Sequence, residues 1–227
     1  MWAVCARSRE QRPAAGLHKA RPSRALVHES FCGGTLAETV SMKGIGIPFR
    51  TVSASDSKPL ARKYMMAQDV AEHVFSNMND QAAESGFCHT HGKVCRLHGR
   101  PDLAIGGLPC QPFTRQRQWD GSSARQAKTS KDHPAYQTFQ SFQNYLEGRK
   151  PLGFIVEETP LSEEELDEFI QMCERCGYAV RAFVLDHRVW CTTPRIRLSR
   201  NRNFISCMVM AVAVAMGMVG VTAHAGW

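Results

Sequence analysis

Two hydrophobic periods alternate along this chain. Strand-length apolar runs recur at Ala25 to Val27, Phe49 to Ala54, His73 to Phe75, Leu103 to Ile105, Leu152 to Val156 and Tyr178 to Asp186. Between them lie stretches with apolar residues at helical spacing. Leu36, Val40 and Met42 form one, and 58–68 is helical in composition. Phe139, Phe142, Tyr145 and Leu146 form another within 135–147, followed by Leu166, Phe169, Ile170 and Cys173. Strands separated by helices predict an α/β fold with a mainly parallel sheet. One helix start is marked in detail. Ser162 with Glu165 three residues on is a capping box, and Gly177 closes the same helix.

The polar residues with chemistry gather where these strands end. Phe31-Cys32-Gly33-Gly34-Thr35 reads as strand, glycine turn, helix. Glycines there let backbone N–H groups approach a ligand, and the helix N-terminus favours its negative parts. Asp56 follows the second strand, where doubly wound nucleotide folds place a carboxylate for ribose hydroxyls. It is equally suited to capping the next helix, and one carboxylate can do both. The fourth run ends in Gly107-Leu108-Pro109-Cys110-Gln111-Pro112-Phe113-Thr114. A cysteine boxed between prolines at a strand mouth is badly placed for packing and well placed to reach a substrate. The fifth run ends in Glu157-Glu158. Parallel strands would bring Cys110 and Glu157 to one edge of one sheet, where open α/β folds bind ligands.

The cysteine loop resembles that of the DNA (cytosine-5)-methyltransferases, whose nucleophile loop reads Pro-Cys-Gln with a following Phe-Ser. Pro109-Cys110-Gln111 and Phe113-Thr114 match it. The family's Glu-Asn-Val after an apolar strand corresponds to Glu157-Glu158-Thr159, and its Phe-x-Gly-x-Gly to Phe31, Gly33 and Thr35, with Gly34 beside them. The resemblance spans roughly Leu26 to Ile205. It implies a Rossmann-like S-adenosylmethionine-dependent methyltransferase sheet with helices on both faces, incomplete because nothing after Ile205 resembles the family's target-recognition region. It implies S-adenosyl-L-methionine as cofactor, held by Phe31, Gly33, Gly34, Asp56, Asn77 (towards the adenine) and Pro109. It implies Cys110 as nucleophile and Glu157 as the partner of cytosine N3. The family's Pro-Gln-x-Arg-x-Arg element fits in two registers, one with Pro194 and Arg197 and one with Arg200 and Arg202. The partner implied is DNA, its target base flipped out of the duplex, with a partner subunit conceivable for the region not matched. The alternative is a catalytically inactive relative acting as a nucleic-acid- or partner-binding module.

With 227 residues and 43% hydrophobic content, the chain can bury one full core. The net charge of +7 and pI near 9.1 suit a polyanion. Basic residues also follow the cysteine loop, at Arg115, Arg117, Arg125, Lys128 and Lys131, where they could meet phosphates. Nine cysteines in no regular framework indicate free thiols and a reducing compartment, nuclear in a eukaryote and otherwise cytoplasmic. Residues 1–24 read as a basic disordered tail, although their composition also admits an organellar transit peptide. The catalytic domain is expected over 25–209, with an apolar low-complexity tail over 210–227. The uncharged stretch Phe204 to Ala223 is long enough to span a membrane, yet reads better as a last strand and a tail. Cys88, His89, His91, Cys95 and His98 crowd into 86–99. Their spacing fits no familiar zinc finger, so a surface loop without metal is expected.

Overall fold

The computed structural model describes residues 24–109, 136–158, 161–186 and 207–215, the last segment and 184–186 as backbone only. Five strands run β1 (Leu26–Phe31), β2 (Phe49–Ser55), β3 (Ala71–Phe75), β6 (Leu103–Gly107) and β7 (Gly153–Glu158), all parallel. Two more, β8 (Tyr178–Asp186) and β9 (Cys207–Ala215), complete a sheet of order β3-β2-β1-β6-β7-β9-β8. β9 lies antiparallel to both neighbours. A separate hairpin, β4 (Ser85–Cys88) and β5 (Lys93–Arg96), stands between β3 and β6 in the chain. The helices are α1 (Ala37–Gly44), α2 (Pro59–Gln68), α3 (Met78–Ala82), α4 (Gln137–Arg149) and α5 (Glu163–Arg175).

Helices cover both faces, as the alternating pattern predicts. On one face Met65 of α2 and Leu36 at the start of α1 pack on Ala54, Ala71 and Val74. On the other, Phe139, Phe142, Tyr145 and Leu146 of α4 join Phe169, Met172 and Cys173 of α5 over Phe31, Ala104, Phe154 and Val156. The rings of Phe31 and Phe142 sit 5.2 Å apart, and those of Phe142 and Phe154 meet edge to face at 5.3 Å. Each such side chain contributes on the order of 1.5–3 kcal/mol by leaving water. The capping box forms as expected, with Ser162 Oγ accepting from the Glu165 N–H at 3.2 Å.

Three features depart from the hydrophobic pattern. Residue 40 of the expected α1 stripe is exposed, and Leu36 and Met42 carry the packing. The crowded 86–99 segment is a hairpin rather than a plain loop. The strand expected near 204–209 runs as β9 from Cys207 through Ala215, reaching into the stretch read as tail. Its uninterrupted apolar sequence suits a strand paired on both sides. Among the described residues no helix is long and apolar enough to cross a membrane.

The centre of the sheet is unexpectedly polar. In β1, His28, Glu29 and Ser30 are all fully buried. Glu29 is held by Arg149, whose Nη2 donates to Oε1 at 2.6 Å, and by Tyr145, whose hydroxyl donates to Oε2 at 2.7 Å. Arg149 also donates to Glu84 at 2.8 Å and to the Gly99 carbonyl at 2.9 Å. Gln81 of α3 donates to the Ser30 carbonyl and to Ser53 Oγ, and accepts from Ser55 Oγ at 2.6 Å. Buried polar groups matched in this way cost the fold little and fix its register.

Candidate functional site at the carboxyl edge of the sheet

The sheet order reverses at β1. β2 and β3 extend to one side and β6 and β7 to the other, which puts the switch point, where open α/β sheets bind ligands, beyond the carboxyl ends of β1 and β6. Every described candidate residue lies along that edge. Phe31, Gly33 and Gly34 follow or end β1, Asp56 follows β2, Asn77 follows β3, Pro109 follows β6 and Glu157 ends β7.

The turn after β1 is built from left-handed residues. Cys32, Gly34 and Leu36 have φ of 48°, 52° and 55°. Gly33 cannot carry a side chain, because a Cβ there would lie 2.4 Å from Ser30 Oγ and 3.1 Å from Met65. Gly34 faces open space, with nothing within 4 Å of a built Cβ. The result is a bare backbone cradle at the switch point. Asp56 braces it, accepting from the Gly34 N–H at 3.1 Å through Oδ2 and from the Lys58 N–H at 2.8 Å through Oδ1. The capping reading of Asp56 is the one seen, since it ties down the start of α2, and its two oxygens retain lone pairs for a further donor.

Phe31 is wholly buried, its ring turned to Phe142 and Tyr145. Asn77 caps α3, its side-chain oxygen accepting from the Asp80 N–H at 3.0 Å. That is a structural task, and it leaves the amide nitrogen of Asn77 without an assigned one.

On the other side of the switch point, β6 and β7 run in register, with Gly107 opposite Glu157. The Leu108 N–H donates to the Glu157 carbonyl at 3.2 Å. The Glu157 carboxylate folds over Gly107, 2.8 Å from where a Cβ would stand. Any larger residue at 107 would displace it. Glu157 is open to solvent on one side, yet its desolvation against the strand ends raises the carboxyl above the usual range. Glu158 points the other way and is buried, beside Leu108, Val156 and Phe169. Strand neighbours alternate, so the second carboxylate is not what perturbs Glu157. Cys110, Arg197, Arg200 and Arg202 lie outside the described residues.

Two residues at this edge escaped the sequence reading. Cys32 is half-buried, and burial, helped by Asp56 and Glu158, pushes its thiol up to about 12. It stays protonated and is no nucleophile. Glu38, in the first turn of α1, is raised by its own burial, with the Ser30 hydroxyl opposing. A glutamate in a first helical turn reads as helix-dipole chemistry, so nothing in the pattern singles it out.

No protein-family model matches the chain, and no curated protein matches it in sequence. Solved structures do. A protein described as a DNA modification methyltransferase encoded within an Escherichia coli prophage superposes with a TM-score of 0.55 at 14% identity, over 84% of this chain and 47% of its own. The Entamoeba histolytica methyltransferase EhMeth superposes at 0.51 and 14% identity, over 84% of this chain and 53% of its own. The Schizosaccharomyces pombe Dnmt2 methyltransferase aligns at 0.49 and 17% identity, over 85% and 50%; the fold assignment rests on the first two. The chain therefore has the Rossmann-like methyltransferase fold. It spans about half the length of the structures it matches.

Proposed function

We propose that this chain is the catalytic portion of a DNA methyltransferase that methylates C5 of cytosine through a covalent adduct on Cys110. The observation that carries the reading is the position of Glu157. Its carboxylate, with a raised pKa, lies over Gly107, three residues before the cysteine in the Pro-Cys-Gln loop. Cytosine chemistry requires a thiol, which Cys110 would supply, and a carboxyl that donates to N3, which Glu157 would supply.

The residues of the cradle fit S-adenosylmethionine. The N–H groups of Gly33 and Gly34 are taken by the Ser55 carbonyl and Asp56, so what Gly34 offers the cofactor's amino-acid end is space free of a side chain, and Asp56 retains acceptor capacity for its ribose hydroxyls. Asn77, after β3, and Pro109, after β6, would complete the set. When bound, the cofactor supplies an electrophilic methyl group.

Cytosine C5 is too weak a nucleophile to take that methyl unaided. The Cys110 thiolate adds to C6, its electron pair forming the S–C bond while the C5–C6 pair moves toward C5. Glu157, in its acid form, donates to N3 and drains the charge that develops on the ring. Arg197, or Arg200 with Arg202, would steady the base O2 and the glutamate. Once C5 is methylated, a base removes its proton, the C5–C6 double bond re-forms and the thiolate departs. The base must leave the duplex stack for any of this. The basic run after the cysteine loop supports DNA phosphates as its anchor.

Glu157-Glu158-Thr159 in place of the family's Glu-Asn-Val favours a second reading, a non-catalytic nucleic-acid- or partner-binding module. Trapping on duplex DNA containing 5-fluorocytosine separates the two. Fluorine at C5 cannot leave as a proton would, so the adduct persists. With S-adenosylmethionine present, the chain should form a covalent complex that Cys110→Ala does not form. No adduct, under conditions where a complete cytosine methyltransferase gives one, would leave the binding module in its place.

A further inference from the structure

The β4–β5 hairpin is a poor structure by itself. Two strands of four residues are marginal in water. Its attachment to β3 is thin: the His89 N–H donates to the Val74 carbonyl at 2.7 Å and His89 Nε2 lies 2.8 Å from Ser76 Oγ, while the Leu97 N–H to Glu84 carbonyl bond at 2.8 Å extends the hairpin's own ladder. Beneath it lies a small core of Phe75, Cys88 and Leu97, with Cys95 partly covered. Phe87 and Val94, directly opposite each other, are both exposed on its outer face.

The inner face holds a different kind of chemistry. Cys88 and Cys95 share that face, because Cys95 stands opposite Gly86, two residues before Cys88. His91 lies in the connecting turn, just before Gly92 with φ +65°. His73 comes from β3, in the sheet below. One ligating atom from each of these four residues lies within 4.8 Å of all the others. His91 Nδ1 is 3.3 Å from Cys88 Sγ and 3.5 Å from Cys95 Sγ. The rings of His73 and His91 are 5.0 Å apart. His73 Nδ1 is buried with no hydrogen-bond partner.

We propose that His73, Cys88, His91 and Cys95 bind one zinc ion, which staples the hairpin to β3. Tetrahedral zinc, with bonds of about 2.3 Å to sulfur and 2.0–2.1 Å to nitrogen, sets S···N near 3.6 Å and S···S near 3.8 Å. The observed S–N separations already match. The set has two soft sulfurs and two imidazoles, the combination that selects zinc over harder divalent ions. Four protein ligands leave no open position, so the ion is structural rather than catalytic. Binding displaces the two thiol protons to solvent. The neighbouring histidines are not part of the set: His89 Nε2 is 2.8 Å from Ser76 Oγ, and His98 lies outside the group. The Cys88-x-x-His91-x-x-x-Cys95 spacing looked incomplete only because its fourth ligand lies on a strand fifteen residues upstream of Cys88.

The test uses the full chain, expressed with added Zn²⁺ and purified under reducing conditions. Elemental analysis should find about one zinc per chain, falling below about a tenth in His73→Ala and in Cys95→Ser, as expected for a closed four-ligand site. His98→Ala and Cys176→Ser should keep their metal. Should the ligand variants not fold, Co²⁺ added to metal-stripped wild type decides the matter. A thiolate-to-cobalt charge-transfer band with the intense visible bands of tetrahedral cobalt supports the site. Cobalt bound without the thiolate band would overturn it. So would a folded, reduced chain with no zinc, or a Cys88–Cys95 disulfide found by mass spectrometry in its place.

Discussion

The middle of the sheet and its carboxyl edge each hold a glutamate, and the two are treated in opposite ways. Glu29, in the centre of β1, is fully buried and wrapped by the Arg149 guanidinium and the Tyr145 hydroxyl. Glu157, at the end of β7, is partly desolvated and raised in pKa, and burial is the cause of that shift. In the middle, a charge is tolerated only because an opposite charge and hydrogen bonds are built around it. At the edge, the backbone is spent, the side chain meets solvent, and the carboxyl holds its proton more tightly than an ordinary glutamate does. The same residue type is scaffold in one place and the proposed reagent in the other, and what separates them is how completely their partners satisfy them.

The largest effect should come from breaking the satisfied centre. Arg149→Leu leaves Glu29 charged, buried and without its cation, which costs about 3–5 kcal/mol. A denaturant midpoint at neutral pH reads the loss directly. Adding Glu29→Met to the same chain should restore most of it, because the pair is then apolar on both sides. A double variant as unstable as the single would mean that the pair is not a closed unit.

A second test also concerns the centre. Burial holds His28 neutral, its pKa lowered to about 4 against an ordinary 6.5. The unfolded chain takes up that proton before the folded chain does, so stability falls as pH drops through this window and is fully present above it. The shift corresponds to on the order of 3 kcal/mol across the window. His28→Leu should flatten the slope of stability between those pH values, whatever it costs at neutral pH by orphaning Thr51 Oγ1. An unchanged acid limb would place the titrating group elsewhere.

Much of this contrast was legible in the amino-acid pattern, and the illegible part has a physical cause. Most helix and strand positions followed from periodicity, the short α3 and the β4–β5 hairpin excepted, and the Ser162–Glu165 cap was visible because its partners lie three residues apart. Gly33, Asp56 and Glu157 were visible because strand ends announce themselves by the apolar run before them. The interior of β1 was not. His28-Glu29-Ser30 interrupts the apolar run, so only Ala25 to Val27 read as strand. The residues that bond to this stretch, Thr51 to His28 Nδ1, Gln81 to the Ser30 carbonyl, and Tyr145 and Arg149 to Glu29, come from distant elements. His73 was missed as a ligand for the same reason. Pairing across a sheet is long-range information, and local spacing carries none of it. Cys110 is the inverse case, written plainly in the sequence and lying outside the described residues.

At the edge, Glu157→Gln keeps the shape and removes the acid. Under the proposed mechanism methyl transfer should fall by about 10²-fold or more, the usual contribution of a positioned acid. The loss should appear in turnover rather than in cofactor affinity, because Glu157 stands on the β6–β7 side of the switch point, away from the Gly33–Asp56 cradle. Gly107→Ala is the companion variant. Its added Cβ would press on the Glu157 carboxylate and should reduce turnover in the same way with the acid still present. Equal losses of turnover and cofactor binding in either variant would argue that the edge is one undivided pocket.

The smallest effect separates scaffold from reagent most cleanly. A carboxyl whose folded pKa is raised adds stability only while it is protonated, and that contribution is lost as pH rises through the folded value. Ionised Glu157 therefore opposes the fold at neutral pH, and Glu157→Gln should raise the unfolding midpoint slightly. Solvent on its open side limits the gain to a few tenths of a kcal/mol. The gain should shrink toward zero as pH falls below the ordinary glutamate range, where wild type is protonated as well. A variant that loses activity and gains stability identifies a residue kept for chemistry at a cost to the fold, the opposite of Arg149. Had Glu157 been a second scaffold carboxylate, its removal would lower the midpoint, and the pH dependence of the difference would carry the other sign.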